Sequence, residues 1–179
     1  MSAGRNHLCA VQIDRAEARL DAGFERAQSV AIADLLESNL FELIGREHGP
    51  YKLRLSTRDA KLSFQILTQD DVPIVSHILS LTPFRRVMKD YAMICEAHLS
   101  AALASDPYRL EAIDMGRRAV HNEGSDLLRE RLSAWIRTDH DTARRLFTLM
   151  AVPHLSSLSG STPSSLNNAS VFARSERLI

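Results

Sequence analysis

Two cysteines, one tryptophan and no surplus of either charge mark this 179-residue sequence. Cys9 and Cys95 stand far apart, with no Cys-x-x-Cys and no Cys/His cluster around them. That argues against a disulfide framework and a structural zinc site, and points to reduced thiols in a cytoplasmic protein. Lysine plus arginine equals aspartate plus glutamate at 22 each, so the basic excess of a typical nucleic-acid binder is missing. No apolar run approaches the ~20 residues that span a bilayer. The opening MSAGRNHLCAVQID holds no apolar core of a secretory signal, so no membrane partner is expected. Also missing are a P-loop, a dinucleotide glycine fingerprint and a nucleophile elbow. The expectation is a chain with no cofactor.

What is present is patterned. Residues 8–13 are short and apolar, as a strand would be. Residues 24–43 repeat apolar positions at helical spacing, and GREHGP breaks that run. Tyr51, Leu53 and Leu55 alternate with polar residues, as do Leu62, Phe64 and Ile66. Residues 57–60 between them complete a hairpin with one buried face. Residues 72–79 read as a third strand, placed at an edge by Pro73. Thr82-Pro83 and Asp106-Pro107 are two helix starts, a cap followed by proline. The first helix is expected to bury Phe84, Val87, Met88, Tyr91, Cys95 and Leu99. The second carries Leu110, Ile113 and Val120 and breaks at residues 122–124, where Ser125 caps a restart. Asp139 or Asp141 opens a last helix that Pro153 ends.

The fold class is therefore α+β: a small antiparallel sheet of about three to four strands in the N-terminal half, packed against a helical C-terminal half of about three to four helices. Residues 1–154 form one domain. Residues 155–179, with 8 serines among 25 residues, read as a disordered tail.

The sharpest cluster is Asp114, Arg117, Arg118, His121, Asn122 and Glu123. On one helix Asp114 reaches Arg117 and Arg118, and Arg117 reaches His121. One reading is an anion or phosphoester pocket, with arginine clamps and His121 as acid or base. The other is a surface ion network ending at Gly124 in a left-handed cap. Arg85-Arg86 stands in the first turn of its helix, where free amides suit an anion but the helix dipole disfavours a cation. Arg144-Arg145 has Asp141 as its natural ion-pair partner.

Three other patterns fail on geometry. His121-x-Glu123 has a deaminase-like look, yet on one helix the two side chains diverge by ~200°, and no Pro-Cys-x-x-Cys follows. Cys9 and Arg15 have the spacing of a phosphatase loop, but the stretch between them lacks glycine. His121, Glu123, Asp139, His140, Asp141 and His154 are metal-ligand types at spacings that match no metal motif, so no metal is expected.

GPYKLRLS, LSLTPFRRVMKDYAMICE, EAIDMGRRAVHNEGSDLL and DTARRLFTLM resemble a small bacterial family of uncharacterised proteins, UPF 0262. The likeness runs over residues 8–154. It implies a bacterial cytosolic protein of one domain, with no activity or catalytic residue to carry over. Members end near the position of His154, so the Ser-rich tail is a departure from the family.

The first expectation is a non-enzymatic regulatory or adaptor protein, a homo-oligomer, contacting a protein partner or an anionic ligand through Arg85, Arg86, the edge strand or an apolar helix face. The alternative is a small-molecule enzyme or binder acting on a phosphorylated or carboxylated compound. Arg117 and Arg118 would then clamp, His121 would move protons, Glu123 or Asp114 would orient it, and Asn122 would lie beside them.

Overall fold

A computed structural model describes residues 6–14, 22–46 and 49–159. Strand β1 (Leu8–Asp14) is followed by helix α1 (Ala22–Glu37), then β2 (Phe41–Leu43), β3 (Tyr51–Arg58), β4 (Lys61–Thr68) and β5 (Pro73–Ser80). A short 3-10 turn (Thr82–Phe84) leads into α2 (Arg85–Leu103), α3 (Pro107–Leu132), β6 (Ile136–Thr138) and α4 (His140–Ser159). Strands gather in the first half and helices in the second, an α+β arrangement.

The main sheet has the order β1-β3-β4-β5. The hairpin forms at the expected place. Its loop is the pair Asp59 and Ala60, both at positive φ (50° and 55°), the twist that joins adjacent antiparallel strands. Leu53, Leu55, Leu62, Phe64 and Ile66 point into the core from alternate positions. Among the described residues strand β5 pairs only with β4, so Pro73 does sit on an edge strand, where a missing amide is tolerated. The sheet is not purely antiparallel. Strand β1 joins β3 in parallel, because α1 and β2 carry the chain back before β3 begins, the connection that parallel pairing requires.

Other expectations are corrected. Helix α1 stops at Glu37 instead of running to residue 43. Asn39 ends it: its Nδ2 donates to the Leu35 carbonyl at 2.9 Å and to the Leu8 carbonyl at 3.1 Å. Its Oδ1 accepts from the Leu8 amide at 2.7 Å. One side chain thus closes a helix and holds a strand. Residues 41–43 then pair with 136–138 as a second, two-stranded sheet. Asn39→Ala strips a buried strand amide of its partner and is expected to cost about 2 kcal/mol. Urea unfolding checks this, and a loss below about 0.5 kcal/mol would show Asn39 to be dispensable.

Thr82 does not cap α2 with its side chain; the chain turns first through a 3-10 step, and Ser80 Oγ accepts from the Thr82 amide at 3.3 Å. Asp106 does cap α3, accepting from the Arg109 amide at 3.1 Å. Asp139 likewise takes the Thr142 amide at the start of α4.

Helix α3 runs unbroken for 26 residues, so the break at 122–124 and the restart at Ser125 do not occur. Gly124 is needed for closeness rather than for a turn: a Cβ there would lie 2.4 Å from the Phe147 ring. Pro153 does not end α4, which continues to Ser159; a proline removes one hydrogen bond and crowds the preceding turn, and the helix passes through it. The first five residues of the expected tail are thus helical, and residues 160–179 lie outside the described ones.

The core joins the inner sheet face to Phe84, Val87, Met88, Tyr91 and Cys95 of the first helical segment, and to Leu128, Leu132, Phe147 and Met150. No helix among the described residues is long and apolar enough to cross a membrane.

Candidate functional site

Helices α1, α3 and α4 enclose a cleft of about 270 Å³. From α3 come Arg117, Arg118 and His121, and from α4 come Asp141, Arg144, Arg145 and Thr148. Helix α1 adds Ala31 and Asp34. The spacing explains the convergence, because residues three and four apart share a helix face. Seating Phe147 against Gly124 draws α3 and α4 close, so the two arginine pairs line the same hollow.

His121 is the most constrained member. It is only 5% exposed. Its ring meets Tyr91 edge-on at 4.8 Å and Phe147 at 6.0 Å. Its Nε2 is buried and has no hydrogen-bond partner among the described residues. Burial first, then the charges of Arg117 and Arg144, lower its pKa from 6.5 to about 3. The imidazole is therefore neutral at physiological pH, with one nitrogen a donor and the other an acceptor.

Arg117 is also buried, at 9% exposure, and its Nη2 lies 3.4 Å from Asp114 Oδ1. Leaving a buried guanidinium without an anion is expensive, and Asp114 supplies one from behind the cleft. Arg118 is exposed, whereas Arg144 and Arg145 are half-buried. Arg145 Nη1 reaches the Ser38 carbonyl at 3.5 Å. Among the described residues neither Asp34 nor Asp141 lies within 4.0 Å of any of these arginines. The ion pair expected of Asp141 with Arg144-Arg145 is therefore not made. Four guanidinium groups stand against the two lining carboxylates and Asp114, which holds Arg117, so the cleft keeps a formal charge of +1.

The other sequence candidates divide. Asn122 and Glu123 are exposed and do not line the cleft. Arg85 and Arg86 are exposed on the first turn of α2, away from it, with Arg86 Nε 3.8 Å from Asp90. Two of the three arginine pairs thus meet and the third does not. The sequence pattern singles out neither Asp34 nor Thr148, and it gives Arg144-Arg145 to an ion pair with Asp141 rather than to the cleft. The repeated Arg-Arg dipeptide on two helices was the only available signal.

Ser125 Oγ lies 3.3 Å from His140 Nε2, with Asp126 Oδ1 3.8 Å from the same nitrogen. A nucleophile relay needs its acid on the opposite ring nitrogen. Ser125 is also fully buried and donates to the Asn122 carbonyl. The three do not form such a relay. No group of three or more His, Cys, Asp or Glu side chains among the described residues is arranged to hold a metal.

Residues 5–156 match the model of a family described as Uncharacterised protein family (UPF0262). The chain is 55% identical over 153 residues to a UPF0262 protein of Rhizobium meliloti, covering 85% of this chain and 97% of the relative. It is 52% identical over 152 residues to one of Agrobacterium fabrum, with the same coverage. It is 50% identical over 152 residues to one of Methylobacterium radiotolerans, covering 84% of this chain and 94% of the relative. No solved structure matches.

Proposed function

The chain belongs to the uncharacterised protein family UPF0262, and from the geometry of its cleft we propose that it binds a small phosphorylated or carboxylated anion and acts as a ligand-responsive, non-enzymatic protein. The observation that carries this reading is the convergence of four arginines and a buried neutral histidine on one hollow. Guanidinium groups present fixed forks of donors that match phosphate and carboxylate oxygens. Arg118, Arg144 and Arg145 make no ion pair among the described residues, which supports an anion as the occupant of the hollow.

Binding is favoured over acid–base turnover by the state of His121. With a pKa near 3 it is a weak base, and at neutral pH it carries no proton to give as an imidazolium. Its supported role is a hydrogen bond to the ligand from an otherwise unpartnered nitrogen. Asp114 serves the site indirectly, by holding Arg117.

Inorganic phosphate titrated calorimetrically into the full chain at low ionic strength tests the reading. Binding is expected, and it should weaken as salt screens the charges. Arg144→Ala removes a guanidinium that makes no ion pair among the described residues, so it should leave stability nearly unchanged while weakening binding by about tenfold or more. Arg86→Ala, outside the cleft, is the control. Equal loss in both variants, or none in either, would sink the assignment.

A further inference from the structure

Resting on that anion-binding reading, we propose that the ligand is a small hydroxylated phosphomonoester of the sugar-phosphate class. Its phosphoryl group would lie among the arginines and its hydroxyls would donate to Asp34 and Asp141.

The argument begins with charge. With Arg117 held by Asp114, the guanidiniums of Arg118, Arg144 and Arg145 face the cleft with no ion pair among the described residues, and the roughly −1.5 to −2 charge and three oxygens of a phosphomonoester suit several such forks. A single carboxylate offers two oxygens to the same donors. The two aspartates add the second constraint. A site for a bare anion has no use for carboxylates, which repel it. Here Asp34 from α1 and Asp141 from α4 line the same hollow as the arginines, yet neither comes within ion-pair distance of them among the described residues. Opposite charges held apart leave room for a molecule with an anionic end and a hydrogen-donating end.

An ionised carboxylate only accepts hydrogen bonds, so the ligand must offer it O–H or N–H. An ammonium group would sit beside four guanidiniums in a net positive cleft, and that repulsion opposes it. A hydroxyl carries no charge and meets no such penalty. Size agrees: the cleft, at about 270 Å³, lies below the roughly 300–1,000 Å³ usual for drug-sized ligands. The buried His121 Nε2, with no partner among the described residues, offers the molecule one further hydrogen bond.

Calorimetric titration of the full chain with ribose 5-phosphate, inorganic phosphate, ribose and O-phosphoethanolamine tests the proposal. Ribose 5-phosphate should bind at least about tenfold tighter than inorganic phosphate, the yield of charge-assisted hydroxyl contacts, and ribose alone only feebly. Asp34→Asn and Asp141→Asn should narrow that preference to within about threefold. Inorganic phosphate should bind both variants as well as or better than the parent, because a negative charge has gone. Asp141 is exposed, so its variant stays informative if Asp34→Asn perturbs α1. Equal affinity of the parent for ribose 5-phosphate and phosphate would overturn the hydroxyl assignment and leave the anion site standing. Preference for O-phosphoethanolamine would overturn it in favour of an ammonium. No binding of any phosphate probe at millimolar concentration would remove the proposal together with the anion reading beneath it.

Discussion

Gly124→Ala is expected to destabilise the protein by about 1–2 kcal/mol, against the ordinary sense of a glycine-to-alanine change inside a helix. At an unconstrained helix position the substitution gains about 1 kcal/mol, because glycine has more backbone freedom to lose. Here the new methyl group would stand 2.4, 2.5 and 2.7 Å from three carbons of the Phe147 ring. That ring is fully buried and touches His121 and Tyr91, so it cannot swing aside freely. Forcing extra carbon into a packed core costs about 1–3 kcal/mol and sometimes more. The three short contacts put the balance on the side of the clash, and Tm should drop by about 2–8 °C. Trimming the ring tests the cause: Gly124→Ala with Phe147→Leu should be less unstable than the two single losses combined. Simple additivity would mean that the ring is not what the methyl group meets. Anion affinity should fall with Gly124→Ala as well, since α3 and α4 must part.

Stability should decline as pH falls from about 6.5 towards 3, and His121 should account for a separable share of the decline. Its folded pKa lies near 3, below the ordinary value of about 6.5 in an unfolded chain. Between those limits the unfolded chain binds a proton that the folded one refuses. The neutral ring's contribution is thus fully present above pH 6.5 and is lost progressively on acidification. The slope is about 1.4 kcal/mol per pH unit, or about 3 kcal/mol by pH 4. The imidazole faces Arg117 on its own helix, Arg144 from α4 and the Tyr91 ring from α2, and both cations oppose its charging. His77, its pKa also lowered, by partial burial and then by Arg46, adds a slope of the same sign that stays in the comparison. Urea midpoints from pH 7 to pH 4 for the parent and His121→Phe make the test. The variant keeps an aromatic ring beside Tyr91 and Phe147 and should show the flatter profile. Superimposable slopes would mean that His121 takes up its proton in the folded state.

The sequence was most legible where one segment carries its own period. Strands β3 and β4 alternate over eight residues each and share a two-residue turn, so their pairing is a local matter. Asp106-Pro107 is equally local, since cap and first turn lie within four residues. Legibility fails where the deciding partner is remote. Three residues at 41–43 have no measurable period, and their strand character comes from 136–138. Gly124 looks like a helix stop because glycine often is one; only Phe147 on another helix reveals that the missing side chain matters. The site divides in the same way. Arg117, Arg118 and His121 lie one turn apart and are visible in sequence. Arg144 and Arg145 have Asp141 close by in sequence, and only the packing of α4 against α1 and α3 places them along the cleft. Asn122 and Glu123 adjoin His121 in sequence, and that closeness is misleading on a helix, where neighbours point elsewhere.

The clasp between residues 41–43 and 136–138 gives the cleft a history as well as a shape. The Leu40 amide finds its acceptor on Thr142, 102 positions along the chain, and α1 has little to close against until α4 exists. Synthesis delivers the amino-terminal half first, at roughly 5–20 residues per second. During those seconds a nascent chain can pair β3 with β4 while Asp34 faces no arginine. The cleft is among the last features to come into being, and occupancy of the proposed anion site would therefore distinguish a finished molecule from an interrupted one.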